Sequence, residues 1–567
     1  MSSPLKGIQH SAHQVPETVR PGHECDAQST IIRMPSSLQA YIDSQVAELQ
    51  PLQTELNELY WQVATTGDHH IVQVYAQRLR HIRDVMAEPE RYRHLNDLLG
   101  VCETQPEDPL TRRQATRLQN MLRGSQISPG LIEQITGLEV LAQSVFTQFR
   151  ATVNGEPVSD NDLKLVLHES IDASVRRQTW EATKQIGAQV ADTLRELVRV
   201  RNQAARQAGF DNYYTMRLEL DELNETELFN LFERLEQGIK PAWREYKDRL
   251  DAQLAERFHT TPSELRPWHY GDPFFQEGQP SDVNLDPYFA GKNLELLTRT
   301  YYAGLGMDID DVLARSDLYE RKGKEQHAFC IHIDKLGDIR VLCNLRPNAA
   351  WAGTMLHEFG HAVYDKYIDP SLPYLLREPA HTLTTEAIAI MGEQLINESA
   401  WLVRYAGVSL SEAQALTSKL REATRTRSLI FAHWVFVMSH FERALYRNPE
   451  QDLNTLWWDM VERFQALHRP DGRDAPDWAA KIHLGTSPVY YHNYLLGSMI
   501  AAQLHAFLLA QVADGSPEAY VASSRVGEYL VEQVFRPGST RDWRGWLHHA
   551  TDQSLSTEFY IKQLSGS

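Results

Sequence analysis

The pentapeptide His357-Glu358-Phe359-Gly360-His361 combines residue types that can bind a metal ion and activate water. On an α-helix, residues four apart lie on one face, so both imidazoles could reach a single ion. Glu358 would lie about 100° round the helix, beside the metal, where a base that deprotonates metal-bound water would stand. A helix with two surface histidines is the alternative that the motif alone leaves open.

A third ligand is expected downstream, where Thr384-Thr385-Glu386-Ala387 begins another apolar helical segment. We expect Thr384 or Thr385 to cap this helix and Glu386 to lie in its first turn. His357, His361 and Glu386 would then form a His2Glu set with the fourth zinc position open for water. Such a set is catalytic rather than structural, so the sequence predicts one zinc ion per chain.

Two elements must hold these side chains in place. β-Branched residues on either side of Leu336-Gly337-Asp338 predict an antiparallel hairpin with strands at 328–334 and 338–344, beside the motif helix. The motif itself lies in a helical segment from about 349 to 368. The apolar face of that helix should include Met355, Leu356, Phe359, Val363 and Tyr367.

Helical periodicity dominates the rest of the chain and predicts a mostly α fold. We expect one large domain, residues 35–567, with two helical lobes around a deep central cleft. Residues 1–34 are polar and aperiodic, and we interpret them as a disordered or loosely attached arm. Asn154-Gly155 is a turn signal. Helical segments are predicted at 38–151, 160–207, 225–259, 293–305, 386–446, 452–467, 494–512 and 517–534.

The composition excludes several classes of protein. A net charge of −19 over 567 residues argues against a general nucleic-acid binder and against binding to anionic membranes. With no apparent run of about 18 apolar residues and no signal-peptide core, we expect a cytoplasmic protein without membrane association. Four cysteines are too few for a disulfide framework, and Cys330 and Cys343 on the hairpin should stay reduced.

The motifs resemble those of a known group of zinc peptidases. His357 to His361 with Glu386 is similar to the zinc site of the angiotensin-converting-enzyme family of peptidyl-dipeptidases and of the related thimet-type oligopeptidases. The 25-residue gap from His361 to Glu386 matches the thimet-type spacing. Residues 376–388, however, resemble the LREGANPGFHEAIGD segment of the converting-enzyme family.

Further segments follow in the same order. Residues 481–487 (KIHLGTS) are similar to the family's KFHIPSS, and residues 491–494 (YHNY) to its YIRY. Residues 271–276 (GDPFFQ) are similar to GDMWAQ, while His327 and Ala328 stand where the family has an active-site strand. The resemblance covers roughly residues 40 to 550 and implies a gluzincin metallopeptidase.

This resemblance also implies the roles of the catalytic residues. Zinc would polarise the scissile carbonyl and acidify water, and Glu358 would take the proton and pass it to the leaving amine. His483 and Tyr494 would stabilise the tetrahedral oxyanion. For Tyr494, a core aromatic on an apolar helix is the alternative.

Substrate contacts are implied on the far side of the cleft. Lys481, Tyr491 and Gln276 would bind a free C-terminal carboxylate two residues beyond the cut bond. His327 and Ala328 would bind peptide backbone as an edge strand. We call Lys481, Tyr491 and Gln276 the carboxylate clamp. Each also has an alternative role: Lys481 as a solvated charge, Gln276 as a loop cap, and Tyr491 as a core packing residue.

Two positions depart from the family pattern. Ile390 stands where converting enzymes have an Asp that orients a ligating histidine, so the groups around the ligands must differ here. Asn493 stands where they have an Arg linked to chloride binding, so we do not expect chloride activation.

We therefore predict zinc-dependent hydrolysis of short, unstructured peptides, with release of C-terminal dipeptides. Two alternatives remain open: an oligoendopeptidase that ignores the C-terminus, and the same scaffold adapted to small-molecule biosynthesis. A non-catalytic binding protein is disfavoured because all the expected catalytic groups are present. The oligomeric state is left open.

Overall fold

The structure is a computed structural model that describes residues 37–102, 108–278 and 283–566. The arm expected at residues 1–34 lies outside the described residues. Within them, the chain forms 23 α-helices and two antiparallel sheets of two strands each. The prediction of a mostly α fold is confirmed, while the single domain with two lobes around a cleft stays a prediction.

Polar caps define the starts of the N-terminal helices. Ser37, Asp68 and Asp108 each accept a hydrogen bond from a backbone N–H in the first turn of the helix that follows. The helices are α1 (Leu38–Thr66), α2 (His69–Met86), α3 (Pro89–Cys102), α4 (Pro109–Gly124) and α5 (Pro129–Gln148).

The turn predicted at Asn154-Gly155 is confirmed. It joins β1 (Ala151–Val153) to β2 (Glu156–Val158), and both turn residues have a positive φ, 54° and 86°. Two-residue hairpin loops favour Asn-Gly because both positions need this conformation.

Long helices form the middle of the chain. The helical segment predicted at 160–207 contains two helices, because Asp172 caps a new helix by accepting hydrogen bonds from Ser174 N and Val175 N. The helices are α6 (Asp160–Glu169), α7 (Ala173–Gln207), α8 (Tyr213–Leu220), α9 (Glu225–Arg257), α10 (Asp286–Phe289), α11 (Leu294–Gly304) and α12 (Asp310–Arg315).

The predicted hairpin is confirmed, although its strands are shorter than expected. β3 (Phe329–His332) pairs with β4 (Ile339–Leu342), and Cys330 lies opposite Val341. Cys330 and Cys343 are buried free thiols, and burial raises the pKa of both. The hairpin packs against the motif helix, α13 (Ala349–Tyr367).

Helix α1 covers the other side of this hairpin. Trp61 and Ala64 near its C-terminus form a buried apolar cluster with Ile331, Ile333 and Leu342. The N-terminal helices therefore support the ribbon that lies beside the motif helix.

Helices again fill the C-terminal half, and the segment predicted at 386–446 is interrupted twice. Two π-helical turns, Leu508–Val512 and Leu530–Phe535, extend the preceding helices. Short 3₁₀ turns occur at Pro262–Glu264, Pro267–His269, Tyr374–Leu376, Leu395–Asn397 and Asp477–Ala480. The helices are α14 (Thr382–Gln394), α15 (Ser399–Tyr405), α16 (Leu410–Arg447), α17 (Leu453–Gln465), α18 (His483–Thr486), α19 (Tyr491–Phe507), α20 (Pro517–Ala522), α21 (Ser524–Tyr529), α22 (Trp543–Thr551) and α23 (Glu558–Ser565).

One stretch corrects the expectation that no segment is apolar enough to cross a membrane. Tyr491–Val512, which is α19 with its π-helical extension, passes by length and composition alone. More than half of its most apolar window is buried inside the fold, where α19 packs against α14 and α16. A core helix passes the same test, so the absence of membrane association stays a prediction.

Candidate metal centre

Helices α13 and α14 cross at close range because each has a glycine at the crossing. A Cβ atom on Gly360 would lie 2.9 Å from Ala389 Cα, and one on Gly392 would lie 2.5 Å from the carbonyl oxygen of Leu356. Larger residues would push the two backbones apart. The glycines therefore allow the polar side chains of the two helices to meet.

The three predicted metal ligands are brought together at this crossing. His357, His361 and Glu386 each offer one ligand atom, and these atoms all lie within 4.8 Å of one another. His357 Nε2 is 3.9 Å from Glu386 Oε2. Ligand atoms of a tetrahedral zinc ion, each about 2.0–2.2 Å from the metal, are about 3.5 Å apart. A small contraction of the group would therefore fit it to zinc.

The second nitrogen of each imidazole faces a polar side chain of α14, which leaves Nε2 for the metal. His361 Nδ1 is hydrogen-bonded to Thr385 Oγ1 at 2.7 Å. His357 Nδ1 lies 3.4 Å from a carboxylate oxygen of Glu393. Partners of this kind fix the orientation of a ligating imidazole and raise its basicity. The donor set and its supports thus match a zinc site.

Glu393, which sequence analysis overlooked, places a carboxylate beside His357, whereas position 390 is Ile. It follows Glu386 by seven residues, and seven residues on an α-helix return to the same face within about 20°. The spacing is therefore a signal that could have identified Glu393. In converting enzymes the corresponding Asp lies one helical turn after the ligating Glu. In this chain Glu393 lies two turns after Glu386.

Burial and nearby carboxylates control the charges of the group. Burial opposes charge on His357, but Glu393, Glu358 and Glu386 outweigh it and raise the pKa of His357 to about 9. Burial raises the pKa of Glu358 to about 7, although the nearby His357 opposes this rise. Burial and the charge of His357 hold the pKa of His361 well below its usual range. Glu358 is thus a buried carboxylate with a raised proton affinity beside the predicted ligands.

The start of α14 differs from the prediction. Its N-cap is His381, whose side chain accepts a hydrogen bond from a backbone N–H of the first turn. The expected caps, Thr384 and Thr385, lie inside the helix, and Glu386 follows in the second turn. The imidazole of His381 also donates to the carbonyl oxygen of Asp221 at 2.7 Å. This long-range contact explains why a local pattern did not locate the cap.

The three residues predicted to bind a carboxylate converge. Lys481 Nζ donates a 2.6 Å hydrogen bond to Gln276 Oε1, and its ammonium lies 5.9 Å from the ring centre of Tyr491. Lys481 is 8% exposed, which excludes a solvated charge. Burial lowers its pKa to about 8, against the opposing effect of Asp272 and Glu277. Substrate binding by these residues stays a prediction.

A buried carboxylate shapes the loop that carries Gln276. Asp272 accepts backbone hydrogen bonds from Phe274, Gln276 and Glu277. Asp272, rather than the Gln276 side chain, is therefore the cap of this loop. Arg176 in α7 donates to the two carbonyl oxygens of Trp268 and Tyr270, just before the loop.

The rings of His483 and Tyr494 both lie close to the ring of Tyr491. The Tyr491 ring centre is 5.1 Å from that of His483 and 5.8 Å from that of Tyr494. Tyr494 is 37% exposed and so is not a core aromatic. Burial and the charge of Glu386 raise its pKa, which places the phenol within electrostatic reach of a predicted metal ligand.

His327 and Ala328 precede the hairpin instead of beginning it. β3 starts at Phe329, and the backbone N–H of His327 donates to Glu325 Oε1 at 3.1 Å. The strand that the resemblance places at His327 is therefore shorter here. Backbone binding of a substrate by these two residues stays a prediction.

A family model for peptidase family M3 matches residues 166–309 and 313–565, which is more than half of the sequence. The chain belongs to peptidase family M3. Members of this family are generally zinc metallopeptidases, and the thimet-type spacing of the motif agrees with the assignment. The predicted kinship with gluzincin peptidases is thereby confirmed, and the His2Glu group offers donors that a zinc ion can use.

A relative of this M3 chain is Carboxypeptidase 1 of Bacillus subtilis (strain 168). The two are 24% identical over 267 residues, which is 42% of this chain and 52% of the relative. The chain thus spans about half the length of the curated relative it matches.

Proposed function

We propose that the protein is a zinc peptidase that hydrolyses short peptides and releases dipeptides from their C-termini. The contact between Lys481 and Gln276, in a protein that also brings together a His2Glu group, carries this proposal. Membership of family M3 supports peptide hydrolysis. The relative is named a carboxypeptidase, which supports action at the C-terminus.

The side chains of the site divide the chemistry among them. A zinc ion held by the two motif histidines and Glu386 would polarise the scissile carbonyl and acidify a water molecule. Glu358, with a pKa raised to about 7 by burial, accepts the proton of the attacking water and returns it to the leaving amine. His483 and Tyr494 donate hydrogen bonds to the oxyanion as it develops.

The carboxylate clamp sets where the peptide is cut. The Lys481 ammonium, the Gln276 amide and the Tyr491 hydroxyl would share one free carboxylate, a single charge met by one cation and neutral donors. An amidated C-terminus would leave a largely buried ammonium without its counter-charge, which is costly. His327 and Ala328 bind the peptide backbone. Free-acid peptides are therefore preferred over amides.

The proposal extends to the compartment. The buried free thiols of Cys330 and Cys343 support a reducing environment. We therefore propose a cytoplasmic peptidase with one zinc ion per chain, acting on peptides already released from larger proteins.

Two matched peptides test the function. The zinc-loaded protein should cleave a free-acid hexapeptide after its fourth residue and release the C-terminal dipeptide, as followed by mass spectrometry. The amidated peptide should be cleaved far more slowly, and Glu358→Gln should abolish both reactions. Equal cleavage of the two peptides would defeat the clamp, while no cleavage of any peptide would defeat the peptidase assignment.

An oligoendopeptidase is the second candidate, favoured by the 25-residue ligand spacing. Such an enzyme would cut internal bonds of longer peptides without regard to the C-terminus. Cleavage positions in peptides of increasing length separate the two modes, because a dipeptidyl mode keeps a constant distance from the C-terminus.

A further inference from the structure

The segment 481–491 supplies Lys481, His483 and Tyr491 but has little secondary structure of its own. Before α19 begins, it forms only the four-residue helix α18 in the part of the chain that the structure describes. Val489, just before α19, has a φ of 55°, a left-handed conformation that is strained for a β-branched residue. Contacts from other elements must therefore hold this segment in shape.

Arg201 of α7 binds the backbone of α18. Its side chain is fully buried. Nη1 donates to the carbonyl oxygen of Leu484 at 3.0 Å, and Nη2 donates to that of Gly485 at 2.6 Å. These are the two carbonyl groups directly after His483. The guanidinium thus fixes the backbone that presents this imidazole.

Further contacts fix the guanidinium itself. Nη1 also donates to Tyr446 Oη at 3.1 Å, and Nη2 to Glu139 Oε1 at 2.7 Å. A planar guanidinium serves four acceptors in a defined geometry, whereas the ammonium of a lysine has three donors and no plane. The shape of Arg201, and not its charge alone, is therefore required.

Glu442 of α16 holds the other end of the segment. It is 2% exposed and accepts a hydrogen bond from Val489 N at 2.8 Å. This bond supports the left-handed residue two positions before Tyr491. Burial raises the pKa of Glu442 to about 7, while the Val489 N–H and the charge of Arg201 oppose the rise. The two buried side chains thus belong to one charge cluster.

We propose that Arg201 and Glu442 are positioning residues that do not touch the substrate: Arg201 places His483 for the reaction, and Glu442 places Tyr491. The kinetic consequences rest on the proposed function. The structural consequence does not rest on it, because it concerns only how well the backbone of residues 483–489 is held in one conformation.

A double-mutant cycle tests the kinetic consequence. Arg201→Lys should lower kcat/KM by about 10- to 100-fold, because a displacement of a reacting group by about 1 Å can cost about 100-fold in rate. In a His483→Ala background the same change should cost less than about twofold, because the group through which Arg201 acts is already gone. Losses of equal size in both backgrounds would overturn the proposal.

Conservative replacement of Glu442 separates positioning from simple destabilisation. Glu442→Gln keeps an oxygen that can accept the Val489 N–H and should retain activity within about threefold, whereas Glu442→Leu should lose about 10-fold or more. Arg113→Lys is the matched control for Arg201→Lys. Arg113 is another largely buried arginine, bound to Glu222 and to the carbonyl oxygen of Ser539. Arg113→Lys should change kcat/KM by less than about twofold, both in the wild type and in the His483→Ala background.

Hydrogen exchange gives a readout that is independent of activity. In Arg201→Lys, the amides of residues 483–489 should exchange faster while the circular dichroism spectrum is unchanged. If the zinc-loaded wild type cleaves no peptide, the proposed function fails but this result still decides the positioning role. Unchanged protection of these amides would overturn it.

Discussion

The ammonium of Lys481 donates a 2.6 Å hydrogen bond to the side-chain oxygen of Gln276, which precedes it by 205 residues. The two residues lie in loops that are far apart in the sequence, and each loop has its own buried support. Asp272 organises the first loop, and Arg201 with Glu442 organises the second. A contact fixed from both sides can present one cation to one carboxylate.

Removing the Lys481 ammonium should destroy the preference for free C-termini. Lys481→Met keeps most of the side-chain volume but removes the charge. KM for free-acid peptides should therefore rise by roughly 30-fold or more. Amidated peptides should be affected much less, since they never formed the ion pair. Lys366→Met is the control. Lys366, near the end of α13, forms an ion pair with Asp311 of α12 and is not one of the residues proposed to bind the carboxylate. Comparable losses on both peptides would argue against the clamp.

The lowered pKa of Lys481 gives the clamp a pH limit. The protonated side chain binds the carboxylate, so binding is retained below pH 8 and is lost as the pH rises through about 8. kcat/KM for free-acid peptides, which reports the free enzyme, should fall above this pH. Lys481→Arg should remove the fall, since arginine stays charged. A fall of the same size for amidated peptides would point to another group.

Glu393 should contribute to zinc affinity rather than to chemistry. Glu393→Gln removes the charge beside His357 Nδ1 and should weaken zinc binding by about 10- to 100-fold, measured by competition with a chelator. At saturating zinc, kcat should change little. Glu398→Gln, which alters an ion pair with Arg421, is the control. Unchanged zinc affinity would show that Glu393 does not support the ligand.

The helix crossing should not tolerate a methyl group. Gly392→Ala places a Cβ against the Leu356 carbonyl oxygen and should lower the free energy of unfolding by about 1–3 kcal/mol. Gly137→Ala in α5, where no atom lies within 4 Å of the added Cβ, should instead raise it by about 0.5–1 kcal/mol. Thermal unfolding of the two variants measures the difference, and equal stability of both would contradict the crossing geometry.

Much of the metal group was predictable because it follows from helix geometry. The four-residue spacing of His357 and His361 places both imidazoles on one face, and the apolar face of α13 anchors the helix. Glu393 could have been found from its seven-residue spacing to Glu386. The contact between Gln276 and Lys481 was predictable only from the resemblance, since nothing in local sequence links the two residues.

Long-range contacts account for what the sequence analysis missed. The N-cap of α14 is His381, and its partner is the Asp221 carbonyl oxygen on a distant segment. The support of α18 depends on Arg201, which is 283 residues away from Leu484. Such pairs leave no periodic pattern, because each is a single contact between elements that tertiary packing brings together.

The position of a bound zinc ion tests the central claim most directly. Anomalous diffraction from crystals of the zinc-loaded protein should locate one ion per chain, with nitrogen ligands from His357 and His361 at about 2.0–2.1 Å and a carboxylate oxygen of Glu386 at about 2.0–2.2 Å. An ion bound elsewhere, or Glu386 held away from the two imidazoles in the loaded protein, would contradict the account.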